Sequence, residues 1–136
     1  WGSGNPSYNN VRRISLSQFR GLYGDELPDP FAFGSKVNVE RDTWIESDFI
    51  IPTGYQITAP VTIDGGEYSI NGSSFTFSPG EILPGNSIKV RIRASSQYAT
   101  ITSLSINIGG QLSKFEVKTK PNFGVVNAIL QLLLNN

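Results

Sequence analysis

The run Ile88-Lys89-Val90-Arg91-Ile92-Arg93-Ala94 alternates apolar and polar residues without a fault. A period of two predicts a half-buried strand, with Ile88, Val90 and Ile92 inward and Lys89, Arg91 and Arg93 outward. Thr100 to Ile108 repeats the pattern through Leu104, Ile106 and Ile108, and Leu112 to Thr119 repeats it through Phe115 and Val117. Gly109-Gly110 between them predicts a hairpin turn. Upstream, Lys36 to Glu40 alternates, and Thr43 to Ile51 is rich in aromatic and β-branched residues up to Pro52. Ile57, Ala59, Val61 and Ile63 alternate with polar partners, and Pro60 marks an edge or a bulge. Glu67 to Ile70 is expected to pair with Ser74 to Phe77 across the turn Asn71-Gly72-Ser73. Asp64-Gly65-Gly66, Pro79-Gly80 and Pro84-Gly85 supply further turns. Seven or eight short strands with turn signals about every 8–12 residues predict a two-sheet antiparallel sandwich.

The two ends break this pattern. Residues 1–10, WGSGNPSYNN, are small and polar. Val11 to Tyr23 alternates only in part, and a short helix over Gln18 to Tyr23 could be capped by Ser15 or Ser17. Gly24 to Pro30 is a turn-rich linker. At the other end Phe123 to Leu134 predicts a short helix. It carries no charge and is apolar around most of its circumference, so one sheet face cannot cover it. The expected division is an amino-terminal arm and linker over 1–30, a β-sandwich over 31–120 and an apolar carboxyl-terminal helix or tail over 121–136.

Composition narrows the chemistry. The 136 residues contain no cysteine, histidine or methionine. A disulfide framework, thiol catalysis, a Ser-His-Asp triad and cysteine or histidine metal ligation are therefore excluded. Charge is balanced overall but uneven along the chain. Residues 1–24 carry Arg12, Arg13 and Arg20 and no acid; residues 25–81 carry ten acids against Lys36 and Arg41; residues 82–136 carry six bases against Glu116. The nets are +3, −8 and +5. Such segregation could place an acidic patch of one copy against a basic patch of another, or the signs could interleave across neighbouring strands. No run approaches the roughly 18 apolar residues of a membrane-spanning helix. The chain as given begins at Trp1, which is expected of a mature chain after removal of a signal peptide, a processed fragment or an isolated domain.

The ordered series Ser47-Asp48-Phe49-Ile50, Gly66-Glu67-Tyr68-Ser69-Ile70-Asn71-Gly72 with Phe75, Pro84 to Arg91, Ala94-Ser95-Ser96, Ile108-Gly109-Gly110 and Phe115 to Thr119 resembles a bacterial immunoglobulin-like β-sandwich repeat over about Val37 to Thr119. The resemblance implies an immunoglobulin-like fold and a structural module of secreted, surface or envelope-assembly proteins. It carries no shared catalytic residues, and it leaves residues 1–30 and 121–136 outside the pattern.

Each candidate site has an ordinary reading beside it. Glu40, Asp42, Glu46 and Asp48 are spaced by twos, and on a strand Glu46 and Asp48 would lie about 7 Å apart on one face. Two carboxylates suffice for glycoside hydrolysis, but solvated strand acids are common, so a carboxylate hydrolase ranks third among the functions. Calcium could take Asp42, Glu46, Asp48 or Asp64, yet no calcium-loop motif is present. Lys89, Arg91 and Arg93 could read an acidic partner or glycan, or face carboxylates on the next strand, which is the preferred reading. Nucleic acid is not expected, because the net charge is zero and no aromatic stacking platform is expected to adjoin this stripe. Asn71-Gly72-Ser73 matches a glycosylation acceptor but reads more simply as a turn. Trp44 is expected in the core.

The expected function is a non-enzymatic structural subunit or module of an extracellular or bacterial cell-envelope assembly, such as a filament, a secretion-machine ring or a virion surface. It would use no metal or cofactor and would not span a membrane. Its partners would be other protein subunits, in a homo- or hetero-oligomer. The alternative is an adhesin-like binding module for glycan or protein. The expected interface residues are Trp1, Tyr8, Lys89, Arg91, Arg93, Leu130, Leu132, Leu133 and Leu134, with the leucines divided between the chain's own body and a neighbour.

Overall fold

The computed structural model of the chain describes Ser15 and residues 24–135. The expected helix over Gln18 to Tyr23 and the first part of the amino-terminal arm lie outside the described residues. Among those described, eight strands and one helix follow in order: β1 (Ser35–Val39), β2 (Trp44–Glu46), β3 (Ala59–Asp64), β4 (Glu67–Ile70), β5 (Gly80–Ile82), β6 (Ile88–Arg93), β7 (Ile101–Ile108), β8 (Gln111–Thr119) and α1 (Gly124–Leu134). A five-stranded sheet has the order β1-β8-β7-β3-β5, and a three-stranded sheet has the order β2-β6-β4. The protein is thus mostly β, with two sheets and one short carboxyl-terminal helix.

Alternation fixes the core as expected. Ile88, Val90 and Ile92 are buried, as are Leu104, Ile106 and Ile108 on β7 and Phe115 and Val117 on β8. Val61, Ile82 and Tyr68 join them, so residues of both sheets form a single cluster. Fully burying each aliphatic side chain contributes about 1.5–3 kcal/mol, which makes this cluster the main source of stability. The β7–β8 hairpin pairs Ile101↔Lys118 through Ile108↔Gln111. Its turn needs left-handed backbone at both central residues, with φ +60° at Gly109 and +102° at Gly110. A side chain on Gly109 would also strike the Glu26 carbonyl, because residues 24–30 cross this turn.

Three expectations are corrected. The sheets are not wholly antiparallel, since β1 pairs with β8 in parallel, with a register shift between Lys36 and Val39. Asn38 sits within that shift at φ +57°. Local alternation sets which side of a strand is buried, but the direction of a distant edge partner is set by the route of the chain between them. Second, the strand expected over Thr43 to Ile51 is pleated only at β2, then breaks. Ser47 is buried in the break, where its hydroxyl donates to the Asp48 carbonyl and accepts from the Val90 N–H. Third, the hairpin after β4 is a single pair. Asn71 and Gly72 do adopt left-handed φ of +51° and +75°, and the Ser73 N–H donates to the Ile70 carbonyl. Beyond that turn only Tyr68 and Thr76 exchange backbone bonds. The return segment must reach the other sheet within a few residues, where Gly80 opens β5 beside β3. β4 takes β6 as its full partner instead.

Candidate functional site

The outer face of the three-stranded sheet gathers the charged residues singled out above. Register places Trp44 opposite Arg93, and Glu46, Arg91 and Glu67 in one row across three strands. Arg91 is the centre of the row. Its Nε and Nη2 donate to Glu67 Oε2 at 2.9 and 2.6 Å. Its guanidinium also lies 4.4 Å from the Trp44 ring centroid and 4.3 Å from that of Phe75. A planar cation therefore lies against two aromatic rings and is tied by two hydrogen bonds to one carboxylate oxygen. Lys89 Nζ pairs with Glu46 at 3.6 Å and stands 5.5 Å from the Phe75 ring. Arg93 Nε donates to Asp42 Oδ1 at 3.0 Å.

Lys89, Arg91 and Arg93 thus each face a carboxylate from a neighbouring segment. Together with Lys120 and Glu40, these pairs interleave the acidic middle of the chain with its basic end. Large opposed patches do not form from those residues. Two sequence expectations fall with this geometry. Trp44 is not a core residue but is 42% exposed. Ile45 pairs with the inward Ile92, so Ile45 takes the inward position and Trp44 is turned out by one step. Aromatic rings, Trp44 and Phe75, do adjoin the basic stripe. No spacing in the sequence could show Phe75 there, because it comes from the segment beyond the Asn71-Gly72 turn.

The spaced carboxylates do not form an isolated acid pair. Glu40, Asp42 and Glu46 are each paired with a cation, and β2 ends at Glu46, so Asp48 does not continue the same strand. Among the described residues, no three carboxylates converge as a metal site would require.

A groove opens beside Trp44, where the edge strands β1 and β2 of the two sheets meet. Lys36, Val39 and Glu40 line one side, Trp44, Ile45 and Glu46 the other, and Arg91 adjoins them; the cavity volume is about 500 Å³. The Ser47 N–H donates to Val90 and the Ala94 N–H to Thr43, so the odd-numbered residues of β2 face β6. The backbone groups of Trp44 and Glu46 therefore point to the open edge.

The second candidate surface is α1. Ile129, Leu130, Leu132, Leu133 and Leu134 are all at least half exposed, as is Phe123 before the helix. The expected division of the leucines is corrected in one respect: none of Leu130, Leu132, Leu133 or Leu134 is buried on the chain's own body. The reason lies in the length of the connection and the make-up of the helix. Only four residues separate Thr119 from Gly124, and a helix that is apolar around most of its circumference, with Asn127 and Gln131 its only polar side chains, cannot have all its leucines covered by one face of the body. No helix of the described residues is long and apolar enough to cross a membrane. Trp1 and Tyr8 lie outside the described residues.

Comparison with protein-family models, with curated proteins and with solved structures finds no significant match.

Proposed function

We propose that the protein is a non-enzymatic structural module of an extracellular or bacterial cell-envelope assembly, an immunoglobulin-like sandwich that joins neighbouring subunits through its carboxyl-terminal helix. The observation that carries this reading is α1. An isolated helix of 11 residues is marginal in water, and this one has no side-chain cap, no acid in its first turn and no base in its last. Its stability must come from covering its leucines, and its own body does not cover them. A second copy offers the same apolar surface, and each leucine buried between copies contributes about 1.5–3 kcal/mol toward the entropy lost on association. The shared core and the strand register support the sandwich. The ordered motifs from Ser47 to Thr119 support its immunoglobulin-like character and the envelope or extracellular setting that goes with it.

The test is sedimentation and light scattering on the full chain and on a chain ending at Asn122. The full chain is expected to form a defined oligomer. The shortened chain is expected to stay monomeric, with the β dichroism and cooperative melt unchanged. A full-length chain that remains monomeric at high concentration overturns the proposal, as does a shortened chain that forms the same oligomer.

A further inference from the structure

We propose that the groove between β1 and β2 is a binding site for a neutral sugar ring, with Trp44 as its stacking surface. Three features carry this, and none of them involves the helix. The groove is shallow and open, with a volume of about 500 Å³ that leaves room for a sugar ring lying against its floor. Its base is apolar where Val39 and Ile45 pack against the core, and the half-exposed indole of Trp44 stands beside them. A pyranose presents a flat face of C–H groups, and an indole held in place is suited to receive it. Arg91 holds it, packed 4.4 Å from the ring centroid and tied to Glu67, so the indole is fixed before a ligand arrives.

The polar rim favours a neutral polyol over an ion. Lys36, Glu40, Glu46 and Arg91 supply two positive and two negative charges around one cavity. Glu40 is neutralised by Lys120, Glu46 by Lys89 and Arg91 by Glu67. With those partners counted, the rim keeps one unmatched charge, the exposed Lys36, which water and salt screen, so a phosphate or a carboxylate finds little hold there. The rim does offer adjacent donors and acceptors, and vicinal hydroxyl groups need both at once. The open backbone groups of Trp44 and Glu46 extend the same rim.

Fluorescence provides the test, because the chain has only two tryptophans, Trp1 and Trp44. A Trp1→Phe chain reports Trp44 alone. It is titrated with glucose, galactose, mannose and N-acetylglucosamine, and with their linear trimers, at millimolar concentrations. At least one trimer is expected to give a saturable shift of the emission. Calorimetry with that trimer is expected to show at least about a tenfold loss of affinity in Trp44→Ala. Lys36→Ala with Glu46→Gln, which leaves the indole and its arginine in place, is expected to weaken binding while the melt stays near that of the parent. Arg93→Ala, outside the groove, is expected to bind as the parent does. A silent emission with every sugar overturns the proposal. Undiminished binding in both groove variants overturns it too, as does occupation of the β2 edge by an extended peptide that sugars do not displace.

Discussion

The position of Arg91 against Trp44 and Phe75 changes what a single substitution on this sheet should cost. From sequence, Arg91 is an ordinary outward base, and its removal should cost under about 1 kcal/mol. In the structure it closes a partly buried pair with Glu67 and touches two rings. We therefore expect Arg91→Ala to cost about 1–2 kcal/mol in urea melts, while Arg93→Ala, whose pair with Asp42 is mostly exposed, costs well under about 1 kcal/mol. A double-mutant cycle of Arg91→Ala with Trp44→Ala should give a coupling of about 0.5–1 kcal/mol. A coupling of zero would remove the ring contact from the account. On the opposite face, Ile92→Ala should cost about 2–5 kcal/mol, since Ile92 is 1% exposed at the centre of the cluster. The inward residues were legible because a period of two needs no knowledge of partners. Trp44 was not, because a strand of three residues can slip by one position, and only its pairing with β6 decides which residue turns in.

At the scale of elements, legibility follows locality. β6 and the β7–β8 hairpin were readable because their signals lie within about twenty consecutive residues and agree with one another. The β1–β8 pairing and the crossing from β4 to β5 were not, because each depends on segments far apart in sequence. The groove inherits this limit, since its two walls belong to edge strands of different sheets. Gly66 marks one such crossing. It is the last residue of the bend that carries the chain from β3 in one sheet to β4 in the other. A Cβ there would lie 2.5 Å from both the Arg91 carbonyl oxygen and Leu104 Cδ2. The carbonyl belongs to the paired backbone of β6 and cannot move without opening the sheet. Gly66→Ala should therefore destabilise the protein by about 1–3 kcal/mol, the usual cost of forcing atoms into a packed site. Gly72→Ala meets nothing within 4 Å and should cost only the strain of its φ of +75°. Equal melting losses for the two would show that the bend is not packed as described.

Over the whole molecule, two buried phenols tie the small sheet and its neighbouring loop to the segment that crosses to the large sheet. The Tyr68 hydroxyl donates to the Ser78 carbonyl at 2.7 Å, and the Tyr55 hydroxyl donates to the Leu83 carbonyl at 2.6 Å. Ser78 and Leu83 bracket β5, so both bonds fasten the chain where it changes sheets. Burial raises the pKa of both phenols above the usual 10.0, because the ionised form would lose its hydration. The sign follows directly. Below about pH 10 both phenols are neutral in the folded and unfolded chains, and their contribution to stability is fully present. As the pH rises past that value, the unfolded chain gives up these protons first, and stability falls until the folded pKa values are passed. The melting temperature is therefore expected to drop more steeply above about pH 10 than ion-pair loss alone would cause. Tyr68→Phe tests this against its own background. At neutral pH it should lose about 0.5–1.5 kcal/mol, the worth of the lost hydrogen bond. In alkali its curve should be shallower than the parent's, because phenylalanine cannot ionise, and a double variant with Tyr55→Phe should be shallower still. Parallel slopes in parent and variants, measured by calorimetry beside a tyrosinate absorbance titration, would mean that these phenols ionise freely in the folded protein and do not fasten the crossing.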